Sequence, residues 1–228
     1  RFNFAEIHCV RGWSYSAMTS RIGVLGGMFD PIHNGHIEVA NFARNYLSLD
    51  LVKLVPCSIP NHRKNANSPA FHRLAMLNLA IEKQDGLQVD SIELKRGGIS
   101  YTADTLQKLK RQNKASQLVF VLGLDSFNTI AKWHDWERLF ELCNFFVLAR
   151  SGAKINKETS QAIKLNDRLT KSNEAFFQQS TGRILFAKEF NNDLSSTKVR
   201  NQFAEGKDLH GSLDDAVYSY IKQHNLYH

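Results

Sequence analysis

The feature that most constrains the fold is an alternation of short, solid apolar runs with segments of helical period. The runs Arg21–Leu25, Leu51–Val55, Leu87–Leu94, Gln117–Leu122, Phe145–Ala149 and Arg183–Ala187 are rich in Val, Ile, Leu and Phe. Their length and branching argue buried strands. Between them, Gly35–Leu49, Pro69–Ile81, Ser100–Gln112, Asp135–Cys143, Ser195–Phe203 and Leu213–Gln223 carry apolar residues at helical spacing. The polar stretch Lys154–Ser172 is expected to be a surface helix, and Cys57–Pro69 a long exposed loop. Strands that are apolar on both faces suit a parallel sheet covered by helices on both sides. The expectation is a doubly wound α/β domain whose ligand binds beyond the carboxyl ends of the strands, near the point where strand order reverses.

A length of 228 residues fits one such domain over 18–228. Residues 1–17 lack periodicity and an apolar core of secretory type, and are expected to be an extension or remnant outside the fold. No apolar run approaches the roughly 18 residues of a membrane span. Cys9, Cys57 and Cys143 are too scattered for a disulfide framework or a metal site, which points to a reduced, cytoplasmic setting. The net charge of +7 would suit an anionic ligand. The basic residues are dispersed and no RNA-binding module is recognisable, so nucleic acid is not the expected partner.

The first strand ends in Gly26-Gly27-Met28-Phe29-Asp30-Pro31-Ile32-His33-Asn34-Gly35-His36. The glycines let backbone approach a ligand, and Asp30-Pro31 imposes a turn. His33 and His36 then stand at a helix entrance, three residues apart and pointing the same way. A helix N-terminus offers free N–H groups and partial positive charge, so two added imidazoles make a receptor for a phosphate chain. The same pair could serve a metal, or either histidine could be structural. About 160 residues further on lies Ser195-Ser196-Thr197-Lys198-Val199-Arg200. Hydroxyl residues there are ordinary N-caps, yet the same geometry presents hydroxyls, amides and the Arg200 fork to phosphate.

A strand–GGxFDPxHxGH–helix together with a late [S/T]-[S/T]-x-[I/V]-R resembles the nucleotidyltransferase superfamily of adenylyl- and cytidylyltransferases. Over Ser20–His228 the chain is similar to the bacterial nicotinate mononucleotide adenylyltransferases. The supporting pieces are Val55-Pro56…Ile59-Pro60-Asn61-His62-Arg63, Glu93-Leu94-Lys95-Arg96, Ser100-Tyr101-Thr102-Ala103-Asp104-Thr105-Leu106, Gly123-Leu124-Asp125-Ser126 and Trp133-His134. Asn61 replaces a proline common in that loop, and His134 an aromatic or bulky residue.

The resemblance implies a Rossmann-like, doubly wound, mostly parallel sheet with helices on both faces, and transfer of AMP from ATP to nicotinate mononucleotide, giving deamido-NAD and pyrophosphate. It implies that Gly26, Gly27 and Phe29 line the nucleotide site, and that His33, His36, Arg63, Ser196, Thr197 and Arg200 meet phosphates. Asp125 would take a ribose hydroxyl, Trp133 would stack on the pyridine ring, and Thr102 with the His134 backbone would receive the carboxylate. Mg2+ would enter with ATP, held mainly by the triphosphate and water. Thr102 could instead cap the following helix, Asp125 could be a cap or turn residue, and one of Trp133 and Trp136 is expected in the core. Use of nicotinamide mononucleotide, alone or as well, and a non-catalytic nucleotide-binding role stay open at this level.

Overall fold

The computed structural model describes residues 19–61, 66–149, 152–187, 190 and 194–227. The expected extension over 1–17, and Arg63, lie outside the described residues. The chain opens with β1 (Arg21–Gly27), α1 (Asn34–Leu47), β2 (Leu51–Pro56), β3 (Ile59–Pro60), α2 (Ala70–Ile81) and β4 (Leu87–Val89). It continues through α3 (Ile92–Arg96), β5 (Ile99–Ser100), α4 (Thr102–Gln112), β6 (Gln117–Gly123) and α5 (Leu124–Phe127). A 3-10 turn (Ile130–Lys132), α6 (Trp136–Leu142), β7 (Asn144–Leu148), α7 (Lys157–Ala162), α8 (Leu165–Arg168) and β8 (Leu169–Thr170) follow. The rest is α9 (Asn173–Phe177), β9 (Ile184–Ala187), α10 (Ser196–Ala204) and α11 (Asp215–Gln223).

Seven strands form one sheet in the order β4-β2-β1-β6-β7-β9-β8, with parallel pairing throughout. Alternate residues of each central strand face opposite ways, and both faces are buried. Leu118, Phe120 and Leu122 of β6, with Phe145 and Val147 of β7, join a core containing Leu106 and Leu109 of α4 and Leu139 of α6. Val119, Val121, Phe146 and Leu148 join the opposite core with Ala40, Ala43 and Leu47 of α1, Met76 and Leu77 of α2, and Val217 and Ile221 of α11. This is the Rossmann-like, doubly wound α/β architecture. Order reverses at β1, which has β2 on one side and β6 on the other. Close packing here extends to Gly23, where a Cβ would come within 2.9 Å of Leu49 Cδ1.

Two stretches differ from the sequence expectation. Leu87–Leu94 is not one strand, because β4 stops at Val89 and α3 starts at Ile92. Asp90 causes the break: its Oδ1 accepts the Ile92 N–H at 3.1 Å while its Oδ2 holds Lys53 Nζ at 2.8 Å. Lys154–Ser172 is not one helix. Asn156 caps α7 by accepting from the Thr159 N–H at 2.7 Å, and Lys164, at φ 50°, separates it from α8. Thr170 Oγ1 then donates to the Ile184 carbonyl at 3.1 Å, and β8 joins the sheet edge. The parallel pair β3–β5 is two residues long, too short to leave a periodic signal.

Candidate active site

Two cavities open at the carboxyl ends of the strands and share Gly26, Gly27, Met28, Leu122 and Ser126. The first, about 680 Å3, lies at the switch point. Its walls include the loop after β1, the N-termini of α1 and α10, and Gly123–Asp125 at the end of β6. The second, about 180 Å3, is bounded by Pro60, Asn61, Ser100–Thr102, Phe120, Trp133 and His134.

The loop after β1 makes a sharp bend. Phe29 has φ 48°, and the Asp30–Pro31 peptide bond is cis. The bend swings Phe29 beneath the glycines, where it is 1% exposed. A Cβ on Gly27 would stand 3.1 Å from the Phe29 ring, so any larger residue would require the ring to give way by a few tenths of an ångström. Phe29 meets His36 edge-on at 5.0 Å, making it a buried support of the histidine as well as a wall of the cavity.

His33 occupies the N-cap position of α1, and the two imidazoles stack at 3.7 Å. The His33 backbone N–H donates to His36 Nδ1 at 3.3 Å, which makes Nδ1 the acceptor and leaves the proton of the neutral ring on Nε2. Burial lowers the His33 pKa to about 4. Burial, and then the neighbouring His33, hold His36 well below the usual histidine value. Both rings are neutral at pH 7 in the ligand-free protein. They can donate through N–H groups now and take protons once an anion arrives.

At the opposite wall, Ser195 is the cap of α10, its side chain accepting from the Lys198 N–H at 3.2 Å. The Ser196 hydroxyl donates to the Pro31 carbonyl at 2.9 Å. Arg200 donates to the Asp30 carbonyl at 2.6 Å through Nη1, and to Thr197 Oγ1 at 3.2 Å through Nη2. The second motif is therefore clamped onto the first, and Arg200 is fixed at the cavity wall. Chemically, the arrangement gathers two helix N-termini, two imidazoles and a guanidinium around one space, a receptor for a polyanion.

Asp125 is the second residue of α5 and lines the first cavity; the N-cap position belongs to Gly123. Thr102, Trp133 and His134 all line the second. Tyr101, not Thr102, occupies the N-cap position of α4, so the capping alternative for Thr102 does not hold. Trp133 Nε1 donates to Thr129 Oγ1 at 3.1 Å, and its ring stands against Phe120 at 6.2 Å, at the cavity wall. Trp136, which does not line the cavity, packs edge-on against Phe140 of the core at 6.2 Å. The His134 ring lies 4.3 Å from that of Tyr101.

Some supporting residues went unnoticed in the sequence. Arg73 is 1% exposed and donates to the Met28 carbonyl at 2.8 Å, bracing the loop from behind. It shares the buried face of α2 with Met76, Leu77 and Ala80, at i, i+3, i+4 and i+7. A cation in a core stripe was the available signal. Glu93, from the segment Glu93–Arg96, accepts from Thr105 Oγ1 at 2.8 Å beneath the second cavity.

A parallel α/β sheet with donors and cations gathered at its switch point and a second pocket beside it suits a protein that handles a nucleotide. The profile of the Cytidylyltransferase-like family matches residues 24–202. A probable nicotinate-nucleotide adenylyltransferase of Pseudoalteromonas atlantica is 34% identical over 206 residues, covering 90% of this chain and 94% of that protein. One of Desulfatibacillum aliphaticivorans is 38% identical over 216 residues, covering 91% and 99%. The structure of Plasmodium falciparum nicotinic acid mononucleotide adenylyltransferase complexed with NaAD superposes with a TM-score of 0.70 at 20% identity, covering 91% of this chain and 97% of that one. The chain belongs to the cytidylyltransferase-like family and, within it, to the nicotinate-nucleotide adenylyltransferases.

Proposed function

We propose that the chain transfers the adenylyl group of ATP to nicotinate mononucleotide across the boundary at Gly26-Gly27, giving deamido-NAD and pyrophosphate. The observation that carries this reading is the junction of the two cavities: an anion receptor and an aromatic pocket share those glycines. ATP takes the first cavity, with Gly26, Gly27 and Phe29 along the nucleotide and Asp125 at a ribose hydroxyl. His33, His36, Arg200 and the amides of Ser196 and Thr197 hold the phosphates. Ser196 contributes mainly its backbone, since its hydroxyl proton is already given to Pro31. Arg63 is proposed to add charge from the preceding loop.

The mononucleotide takes the second cavity. Its pyridinium stacks on Trp133, gaining both stacking and cation–π attraction. Thr102 and the His134 backbone offer donors to the carboxylate. A 5′-phosphate oxygen attacks the α-phosphorus in line, the bond to the bridging oxygen breaks, and pyrophosphate leaves with its electron pair. No protein nucleophile is needed; the work is alignment and neutralisation of charge on the leaving group. Mg2+ belongs to the substrate in this reading. Among the described residues, apart from Asp30 and Asp125, the charged and titratable side chains bounding the first cavity are histidine and arginine, which suits a triphosphate bringing its own cation.

The test is pyrophosphate release from ATP and Mg2+ with nicotinate or nicotinamide mononucleotide as acceptor. Turnover with the acid should exceed that with the amide by about tenfold or more, because an amide leaves carboxylate-directed donors unpaired. Equal use of both overturns the carboxylate assignment, and no release with either overturns the reaction.

A further inference from the structure

Asp30 sits in the bend that carries the two histidines, and it is 3% exposed. A buried carboxylate is tolerated only when donors surround it. Its Oδ2 accepts the Asn67 N–H at 2.6 Å, and its Oδ1 accepts the Ser68 N–H at 3.2 Å. The third donor is Tyr227 Oη, 2.7 Å from Oδ1 and 197 residues away in sequence. One carboxylate thus joins the bend after β1, the segment leading into α2 and the chain beyond α11.

Tyr227 reaches this point through a costly backbone path. Asn225 has φ 50°, a left-handed value asparagine adopts readily, whereas Tyr227 has φ 65°, a value that a tyrosine keeps only when its surroundings hold it there. The Leu226 N–H donates to the Ile221 carbonyl at 3.1 Å, and both Leu226 and Tyr227 pack against the core beneath α1 and α2. The phenol is half-buried and does not line either cavity. Asp30 and Asn67 do line the first. The loop is otherwise held by Arg73 on the Met28 carbonyl, Arg200 on the Asp30 carbonyl and Ser196 on the Pro31 carbonyl. All of these grip its backbone. Among the described residues, the Tyr227 hydroxyl is the one side-chain donor to the Asp30 carboxylate, and with the Asn67 and Ser68 N–H groups it fixes which way that carboxylate turns.

We propose that Tyr227 is a positioning residue for the phosphate chain: through Asp30 its hydroxyl holds the histidine loop and the 66–68 segment in one register around the first cavity. The tail acts on the nucleotide half of the site and leaves the acceptor half untouched. The proposal rests on the reading that the first cavity takes ATP. It follows because a displacement of about 1 Å in a positioning group is enough to cost an enzyme a large factor in rate or affinity.

Tyr227→Phe removes one hydroxyl and keeps the packing. The measurements are ATP affinity by calorimetry with Mg2+ and no acceptor, KM for ATP and for nicotinate mononucleotide, and the thermal midpoint. The expected result is a loss of about tenfold in ATP affinity and a matching rise in KM for ATP. KM for the mononucleotide should stay within about twofold, and Tyr227→Phe should add little further loss in an Asp30→Asn background. Unchanged ATP affinity overturns the proposal. So does a parallel rise in both KM values with a fall in thermal midpoint, the signature of a merely structural contact. If the unsubstituted protein binds ATP but releases no pyrophosphate, the proposed reaction fails while the calorimetric comparison still decides the role of Tyr227.

Discussion

The two cavities that meet at Gly26-Gly27 are braced over different sequence distances. The first is a convergence of segments remote in sequence. Ser196 reaches Pro31 over 165 residues, Arg200 reaches Asp30 over 170, and Tyr227 reaches Asp30 over 197. The second also gathers several segments, from 24–28 to 133–134, but the side-chain hydrogen bonds that hold Thr105 and Trp133 span only 12 and 4 residues. Tyr101 occupies the N-cap position of α4, Thr102 and Thr105 lie in its first turn, Glu93 stands in α3 twelve residues before Thr105, and Trp133 is anchored four residues back on Thr129. A polyanion demands many donors at fixed positions around a flexible chain, and separate segments can surround it. A flat ring demands one face and a few edge contacts, which one helix end and one turn can supply. Substitutions in the first cavity should therefore propagate, and those in the second should stay local.

The largest expected effect breaks the first cavity. His36→Ala removes a donor that Phe29 and His33 hold in place. Turnover should fall by about 10²–10³-fold, the usual cost of deleting one preorganised donor at a site of developing negative charge. The thermal midpoint and circular dichroism should change little. Near-normal turnover would remove the histidine pair from the proposed mechanism.

A second test uses the pH dependence of the same pair. The folded-state pKa of His33 is lowered to about 4, below the unfolded value near 6.5. Between those values the unfolded chain binds more protons, so stability falls as pH drops. His33 alone should cost the ligand-free protein about 2 kcal/mol between pH 7 and pH 5. His36 adds in the same direction. Urea denaturation of the protein and of His33→Gln across that range should show a flatter profile for the variant. Saturating ATP with Mg2+ should also flatten the profile, since an anion raises both histidine pKa values. Parallel profiles in all three would mean that folding does not lower the His33 pKa.

The same contrast explains what could be read from the sequence. The sheet was legible because both faces of β1, β6 and β7 are apolar, and solid runs of that kind fit few architectures. The first cavity was legible as motifs. GGMFDPIH and SSTKVR each mark a loop entering a helix, and the separation between them carried no geometric information. That Ser196 and Arg200 close on Pro31 and Asp30 needed the fold. Tyr227 stayed hidden because its partner is fixed only by a left-handed bend after α11, for which Asn225 gives a weak signal. The break at Asp90 was missed for a different reason: apolar residues continued through it, and the turn depends on a side chain accepting from the backbone two residues on. In the second cavity, Trp133 and Trp136 were equivalent by composition. Only the turn at Ile130–Lys132 and the left-handed Asp135 turn one toward the pocket and leave the other against Phe140.

That division between the two tryptophans supplies the smallest and most local prediction. Trp133 has its Nε1 committed to Thr129 and its edge against Phe120, so its remaining face is the surface a ring could cover. Stacking on an indole contributes roughly 0.5–1.5 kcal/mol beyond burial, and a cationic ring adds a similar amount. Trp133→Ala should raise KM for nicotinate mononucleotide by about tenfold while KM for ATP stays within about twofold. Trp133→Phe should recover part of the loss, because it restores a face without the indole's stronger attraction for cations. Trp136→Ala should do the reverse of Trp133→Ala, lowering the thermal midpoint through lost packing against Phe140 and leaving both KM values near those of the parent. Steady-state kinetics with each substrate varied, together with thermal denaturation, would separate the two. A rise in KM for ATP with Trp133→Ala would mean that the cavities communicate through the shared glycines, and that the second pocket is not the local structure its contacts describe.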